Sequence, residues 1–335
     1  MPRNRLLLLA CLALAGCLER IESITLHADG SLDVEHRVTG DADDLDQGAA
    51  SYPTRAPWNV ARTTRRKEDG KVEHILTARA RFGSAAEMPT RFAVLGDPFG
   101  DRALAFTTEV TVRREEGRAH YRFVRRYRPR TWAPYAHFWR RAFPPDIQEM
   151  IDDPDNLWRR TDEERGRLIR AILDFQCMQI QHWAEDALAA VAPEEPLRPE
   201  ALLAARDAVR SYRSAHLGSA AMERVLAQPV EEIDAFTTAF HREVNDRIVE
   251  VVAKRLGFDA NRAANFRTAL AVAAHDFEIT HDLEDENFVV RLEMPGRLTG
   301  DNGDAHQGGE VVWRFDDEDL RDRAHVLIAT SVVEE

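Results

Sequence analysis

Between Arg113 and Arg141 the chain carries ten arginines, at 113, 114, 118, 122, 125, 126, 128, 130, 140 and 141, against only Glu115 and Glu116. Tyr121, Phe123, Tyr127, Trp132, Tyr135, Phe138 and Trp139 are interleaved with them. Guanidinium forks bind phosphate in bidentate fashion, and interfacial aromatic rings settle at headgroup level. Arg122, Arg125, Arg126, Arg128 and Arg130 are therefore candidate contacts to an anionic surface. A plainer alternative stands beside this one. Strand alternation would bury Tyr121 and Phe123 in a sheet, while the arginines pair with the acid-rich stretch 282–322.

Other residues that could do chemistry give weaker signals. The twelve histidines are scattered, with no H-E-x-x-H, H-x-H or C-x-x-C, so neither a metal nor another cofactor is expected. Asp301-Asn302-Gly303-Asp304 lacks the remaining ligands of a calcium loop and reads as a polar turn, and Asp316–Asp319 reads as a solvated acidic loop. Gly83-Ser84 and Gly218-Ser219 lack the frame of a nucleophile elbow, and Cys177 falls on an apolar helical stripe where a thiol is core material. No catalytic motif is found, which favours a non-enzymatic role. A hydrolase whose carboxylates meet only in space stays open in a chain with 58 acids.

At the N-terminus, Arg3 and Arg5 precede an apolar run from Leu6 to Ala15, too short to span a bilayer, and then Gly16-Cys17. Leu14-Ala15-Gly16-Cys17 resembles the lipobox of bacterial lipoprotein precursors. That resemblance implies a signal peptide over 1–16, a diacylglyceryl group on the Cys17 thiol, and a cell-envelope location with the membrane as partner. Leu18 in place of aspartate after the cysteine implies the outer membrane in a diderm organism. The competing reading is an ordinary secretory signal with Cys17 incidental. Loss of residues 1–17 removes two arginines and no acid, which takes the formal charge from −13 to −15 and argues against a nucleic-acid partner. With Cys11 gone and Cys17 modified, Cys177 is alone, so the fold must be held by its core without a disulfide.

The elements that must position these residues follow from hydrophobic periodicity. Alternation around Asp29-Gly30, around Asp69-Gly70 and around Glu115-Glu116-Gly117 predicts three hairpins. Ser84-Ala-Ala-Glu87 and Thr161-Asp-Glu-Glu164 read as capping boxes. Helical stripes run from Ile169 through Ile172, Leu173, Cys177, Ile180 and Trp183 to Leu188, and from Ile233 to Val252, with Gly257 placed to end the second. Strand character returns over Ile279–Leu283, Phe288–Leu292, Val311–Phe315 and Val326–Val332.

Strands at both ends around a helical middle predict an α+β fold. One antiparallel sheet would form from 17–130 and 276–335, with a helical insert at 131–275. Met294-Pro-Gly296, Asn302-Gly303 and Gly309-Glu-Val-Val-Trp313-Arg-Phe315 resemble the closing β-unit of uncharacterised, β-rich bacterial envelope lipoproteins. The resemblance implies architecture and location, and brings no catalytic residues. The expected function is a membrane-anchored lipoprotein that binds or organises an envelope protein or anionic lipid. Four of the six tryptophans, from Trp132 to Trp183, would offer a partner surface. A module for a lipid or apolar ligand is the alternative binding role.

Overall fold

The computed structural model describes residues 18–40, 42, 45, 53, 56–67, 70, 72–90, 104–151, 160–196, 198–216, 230–283, 286–307 and 309–334, with 216, 230–238 and 282 described by backbone only. Leu14-Ala15-Gly16-Cys17, Asp69, Trp158 and Gly218-Ser219 lie outside these residues. The chain forms two compact units. One holds Ala133–Asp276; the other holds the described residues up to Trp132 together with those from Phe277 onward.

The second unit is two sheets. Its strands are β1 (Leu18–Leu26), β2 (Leu32–Gly40), β3 (Asn59–Arg66), β4 (Val72–Phe82), β5 (Phe106–Glu115), β6 (Arg118–Tyr127), β7 (Glu286–Glu293), β8 (Arg297–Asp301), β9 (Ala305–Gln307), β10 (Glu310–Phe315) and β11 (His325–Glu334). One sheet runs β3-β4-β2-β1-β7-β10-β9 and the other β5-β6-β11-β8. Strands from before and from after the helices are therefore in sheets, and the class is α+β. The strands divide into two sheets instead of one, because a period of two fixes which face is apolar but not which strand is the neighbour. All pairings are antiparallel except β1 with β7, where Ile24 lies across from Leu292. That parallel junction joins the strand before the helices to the one after them, and the chain between the two serves as its crossover.

The predicted hairpins at 29–30 and 115–117 form, with Gly30 and Gly117 at positive φ where a side chain would be strained. Apolar residues from both sheets meet in one core. Ile24, Leu26, Val34, Val290, Leu292, Val311 and Trp313 come from the first sheet, and Phe106, Tyr121, Phe123, Tyr127, Leu327 and Ala329 from the second. At one end, Tyr121 Oη donates to Ala28 O at 2.8 Å.

The Pro-Gly, Asn-Gly and V-x-W residues have a specific job. Gly296 has positive φ, and a Cβ there would collide with Val332 O. Asn302 then stitches the sheets together: its Oδ1 accepts from Trp313 Nε1 on β10 at 2.9 Å and from Ile328 N on β11 at 2.7 Å, while its Nδ2 donates to Val326 O at 2.7 Å.

The first unit contains α1 (Ala133–Ala142), α2 (Pro145–Ile151), α3 (Asp162–Val191), α4 (Arg198–His216), α5 (Val230–Leu256) and most of α6 (Ala260–Asp282). Thr161 and Glu164 make the predicted capping box at the start of α3. Its stripe Leu168, Ile172, Leu173, Phe175, Ile180, Trp183 and Leu188 is buried. Two sequence expectations change here. Ser84–Glu87 opens only a three-residue 3-10 turn, because Glu87 accepts from Gly83 N and no side-chain N-cap bond forms. Ile279–Leu283 belongs to α6 and the turn after it, not to a strand, since Phe277, Thr280 and Leu283 continue the spacing of Phe266, Leu270 and Ala273 and pack on one side.

Replacing Asn302 with alanine strands the Trp313 and Ile328 N–H groups. Urea denaturation should read a loss of about 1–2 kcal/mol for Asn302→Ala, with the fold unchanged by circular dichroism.

Candidate functional site

The inward face of β1 reads Leu18, Arg20, Glu22, Ile24, Leu26, all buried. Two charges thus sit within an apolar row, and the remaining strands bring partners to them. Arg125, from β6 of the opposite sheet, has 0% exposure and donates through Nη1 to Glu22 Oε2. Its Nε donates to Thr108 Oγ1 at 3.0 Å, and its Cζ lies 4.6 Å from the Phe106 ring centroid. Arg20 makes a two-pronged pair with Glu286 at the start of β7, at 2.5 Å and 3.1 Å. His36, facing Glu22 across the β1–β2 pair, is buried as well. The result is an ionic layer inside the sandwich. On one side of it lies the main core, and on the other the small cluster of Leu18, Val38 and Leu45.

Each charge is shaped by this setting. Burial lowers the pKa of the Arg125 guanidinium, but Glu22 and Tyr127 together outweigh that cost and the net shift is upward. Tyr127 is pushed up to about 12, first by burial. Burial, then repulsion from Arg20 and Arg125, drives His36 down to about 3, so its ring is neutral at pH 7.

The predicted arginines part company on β6. Arg125 is in phase with Tyr121, Phe123 and Tyr127 and goes inward. Arg130 is also buried, giving Nε to Thr280 Oγ1 at 3.0 Å, while its backbone bonds to Leu320 and Asp322. Neither presents its side chain to solvent. Arg122, Arg126 and Arg128 are exposed and form no ion pair among the described residues. Arg122 and Arg126 share the outer face of their sheet with His120 and Arg118, and with Arg113 of β5 across from His120. Glu109 and Glu115 of β5 interrupt this row of cations.

By charge Arg125 reads as a surface residue, but its phase places it inside. Arg20 and Glu22 stand in no motif, yet they share the spacing of Ile24 and Leu26, and that in-phase position is the signal the sequence carries. The pairing expected between these arginines and 282–322 is limited, since Arg125 finds its acid on β1.

The remaining candidates resolve locally. Among the described residues, every buried acid is paired: Glu22 with Arg125, Glu73 with Arg65 and Lys67, Glu286 with Arg20, and Asp317 with Arg321. Asp301 accepts from Gly303 N and meets His306, and Asp304 accepts from Arg314 N, so both shape the turn. Asp316 caps α7 (Asp317–Leu320). No group of His, Cys, Asp and Glu among the described residues could hold a metal ion. Trp183 is buried and donates to Tyr135 Oη at 3.0 Å, and Trp139 donates to Gln148 Oε1 at 2.9 Å. Trp132 stacks on Phe277 at 6.2 Å beneath Arg321. Cys177 is buried, and burial first, then Asp174, pushes its thiol up to about 12.

No protein-family description matches this chain, and no curated protein does. Among solved structures, the chain is similar to the folded domain of Mycobacterium tuberculosis LppM, with a TM-score of 0.27 and 9% identity over 100% of this chain and 97% of that one. Among the described residues, no helix is long and apolar enough to cross a membrane.

The neutral His36 sets an acid limit on stability. Its folded pKa, about 3, lies below the ordinary 6.5, so the unfolded chain binds the proton first and stability falls as pH drops below 6.5. His241 and His325, also lowered by burial, act in the same direction. Between pH 7.5 and 5.0, His36 should account for a loss of about 2 kcal/mol. Urea titrations at the two pH values should show a correspondingly smaller drop for His36→Gln; an equal drop would remove His36 as the cause.

Proposed function

We propose that this chain is a membrane-anchored envelope lipoprotein with a non-enzymatic binding or structural role, held to the bilayer by a diacylglyceryl thioether on Cys17. The observation that carries the reading is the start of β1. The strand begins at Leu18, the residue after the lipobox cysteine, and sits between β2 and β7 inside the seven-stranded sheet. Leu18 is buried with Val38 and Leu45, so the chain is fixed from that residue on. A lipid on the preceding residue has no slack, and it draws this end of the sheet to the headgroups. Two acyl chains suffice for durable anchoring, at about 0.8 kcal/mol per buried CH₂.

The pairing of every described buried acid with a cation favours binding over carboxylate chemistry, because each of these carboxylates already holds a cationic partner within the fold. The exposed row of Arg122, Arg126 and Arg128 is the surface we assign to an anionic envelope component. Leu18 after the cysteine supports sorting to the outer membrane in a diderm envelope.

Expression of the full chain and of Cys17→Ser tests the anchor. Intact mass should show the lipid only on the parent, and the variant should leave the detergent phase for the aqueous one. Identical mass and partitioning would overturn the reading. In the anchored protein, charge reversal at Arg122, Arg126 and Arg128 should weaken capture of an anionic envelope component at least about tenfold, since each cation near such a surface contributes about 1 kcal/mol.

A further inference from the structure

Four strands stand at sheet edges: β3 and β9 in the larger sheet, β5 and β8 in the smaller. An edge offers its unpaired backbone groups to another strand unless it is short, irregular or charged against pairing. β9 has three residues, and β8 has five with a register shift in its pairing to β11. β3 has eight residues, with Arg62, Arg65 and Arg66 and no acid, so a second copy would bring cations against cations. β5 is different. Its ten residues, Phe106–Glu115, mix charges of both signs with a run of threonines and valines.

The hairpin turn fixes which backbone groups β5 leaves over. Glu116 and Gly117 have φ of 51° and 76°, a two-residue turn that makes Glu115 and Arg118 a hydrogen-bonded pair. The alternation that follows puts the odd-numbered residues of β5 in such pairs with β6, and at its far end Arg128 N donates to Ala105 O at 2.8 Å. Thr108, Val110 and Val112 therefore turn their N–H and C=O groups to the open side. Phe106 N donates to Thr90 O at 2.8 Å, which closes the edge at that end. The turn at Glu116 closes the other, and Thr111 lies midway between them.

We propose that β5 pairs antiparallel with β5 of a second copy about a two-fold axis at Thr111, joining the two four-stranded sheets into one. In this register Val110 and Val112 of one copy exchange backbone bonds with Val112 and Val110 of the other, and Thr111 faces its own copy as a non-hydrogen-bonded pair. On the outer face, Glu109 stands across from Arg113 of the second copy, twice by symmetry. Both residues are exposed and form no ion pair among the described residues. On the inner face Val110 and Val112, half-buried at the margin of the core, cover each other across the axis. Sliding the copies by two residues sets Glu109 against Thr111 in one direction and against Glu115 in the other, so charge and backbone select the same register. The pairing also makes one continuous face of the exposed Arg122 and Arg126 of both copies, and it requires no lipid on Cys17.

Cross-linking across the axis tests this. Cysteines on a non-hydrogen-bonded antiparallel pair, with Cα atoms about 4.5 Å apart, fall within reach of a disulfide. Thr107 lies across from Glu115 of the second copy, which leaves the two Thr107 residues about 27 Å apart. The full chain in nonionic detergent, carrying either Thr111→Cys or Thr107→Cys, is oxidised and run on a non-reducing gel beside the parent, whose own cysteines give the background. Thr111→Cys should yield covalent dimer at least about tenfold more efficiently than Thr107→Cys. Adding Glu109→Arg or Arg113→Glu to Thr111→Cys should lower that yield roughly tenfold, since each puts like charges across both symmetric pairs, and adding both should restore it. Equal linkage at the two positions, or none above background at Thr111→Cys, overturns the proposal. So does linkage that survives both single reversals, or a double reversal that fails to recover it. The anchor at Cys17 stands or falls separately, on intact mass.

Discussion

The pair of Arg125 and Glu22 is the constraint on which the β unit depends. It joins the two sheets at a point where neither charge can reach water, with Arg125 at 0% exposure and Glu22 nearly as buried. A charge taken from water costs several kcal/mol, and only a partner in good geometry returns it. The pairing therefore fixes which strands face one another and in what phase, since a shift of one residue on β1 or β6 would turn one charge outward and leave the other unpaired. Arg20 with Glu286 does the same within the large sheet, tying the N-terminal strand to the segment that returns from the helices. Together these pairs make the parallel meeting of β1 and β7 specific, where apolar residues alone would tolerate slippage.

That specificity reaches the start of β1. The ionic layer lies one step inward from Leu18, so β1 is locked in the sheet from its first described residue. The start of β1 and the β3–β4 hairpin have fixed relative positions within one sheet, while the exposed arginines of β6 lie on the other.

Much of the fold was readable in the residues. Asp29-Gly30 and Gly117 mark hairpins because a positive φ is easily reached there, and Thr161 with Glu164 marks the start of α3 through a reciprocal cap. The stripe from Ile169 to Leu188 fixes a buried helix face. The partition into two sheets was not readable, because alternation reports faces and not neighbours. Ile279 to Leu283 misled because a short apolar run satisfies both periods, and only its continuity with Phe266, Leu270 and Ala273 decides for the helix. At the candidate site, charge type hid position. Arg125 sits in phase with two tyrosines and a phenylalanine, and Arg20 and Glu22 in phase with Ile24 and Leu26. No local signal told that these charges would find each other across the sandwich, about a hundred residues apart in the chain.

The most direct measurement is a double-mutant cycle on the pair, with Glu22→Gln, Arg125→Met and both together, each followed by urea denaturation at pH 7.5. A buried, mutually dependent pair predicts a loss of about 3–5 kcal/mol for either single replacement, and a double variant that costs clearly less than the two singles summed. Losses that simply add would mean that the two charges do not stabilise one another, and the sandwich would have to be held in register by something else.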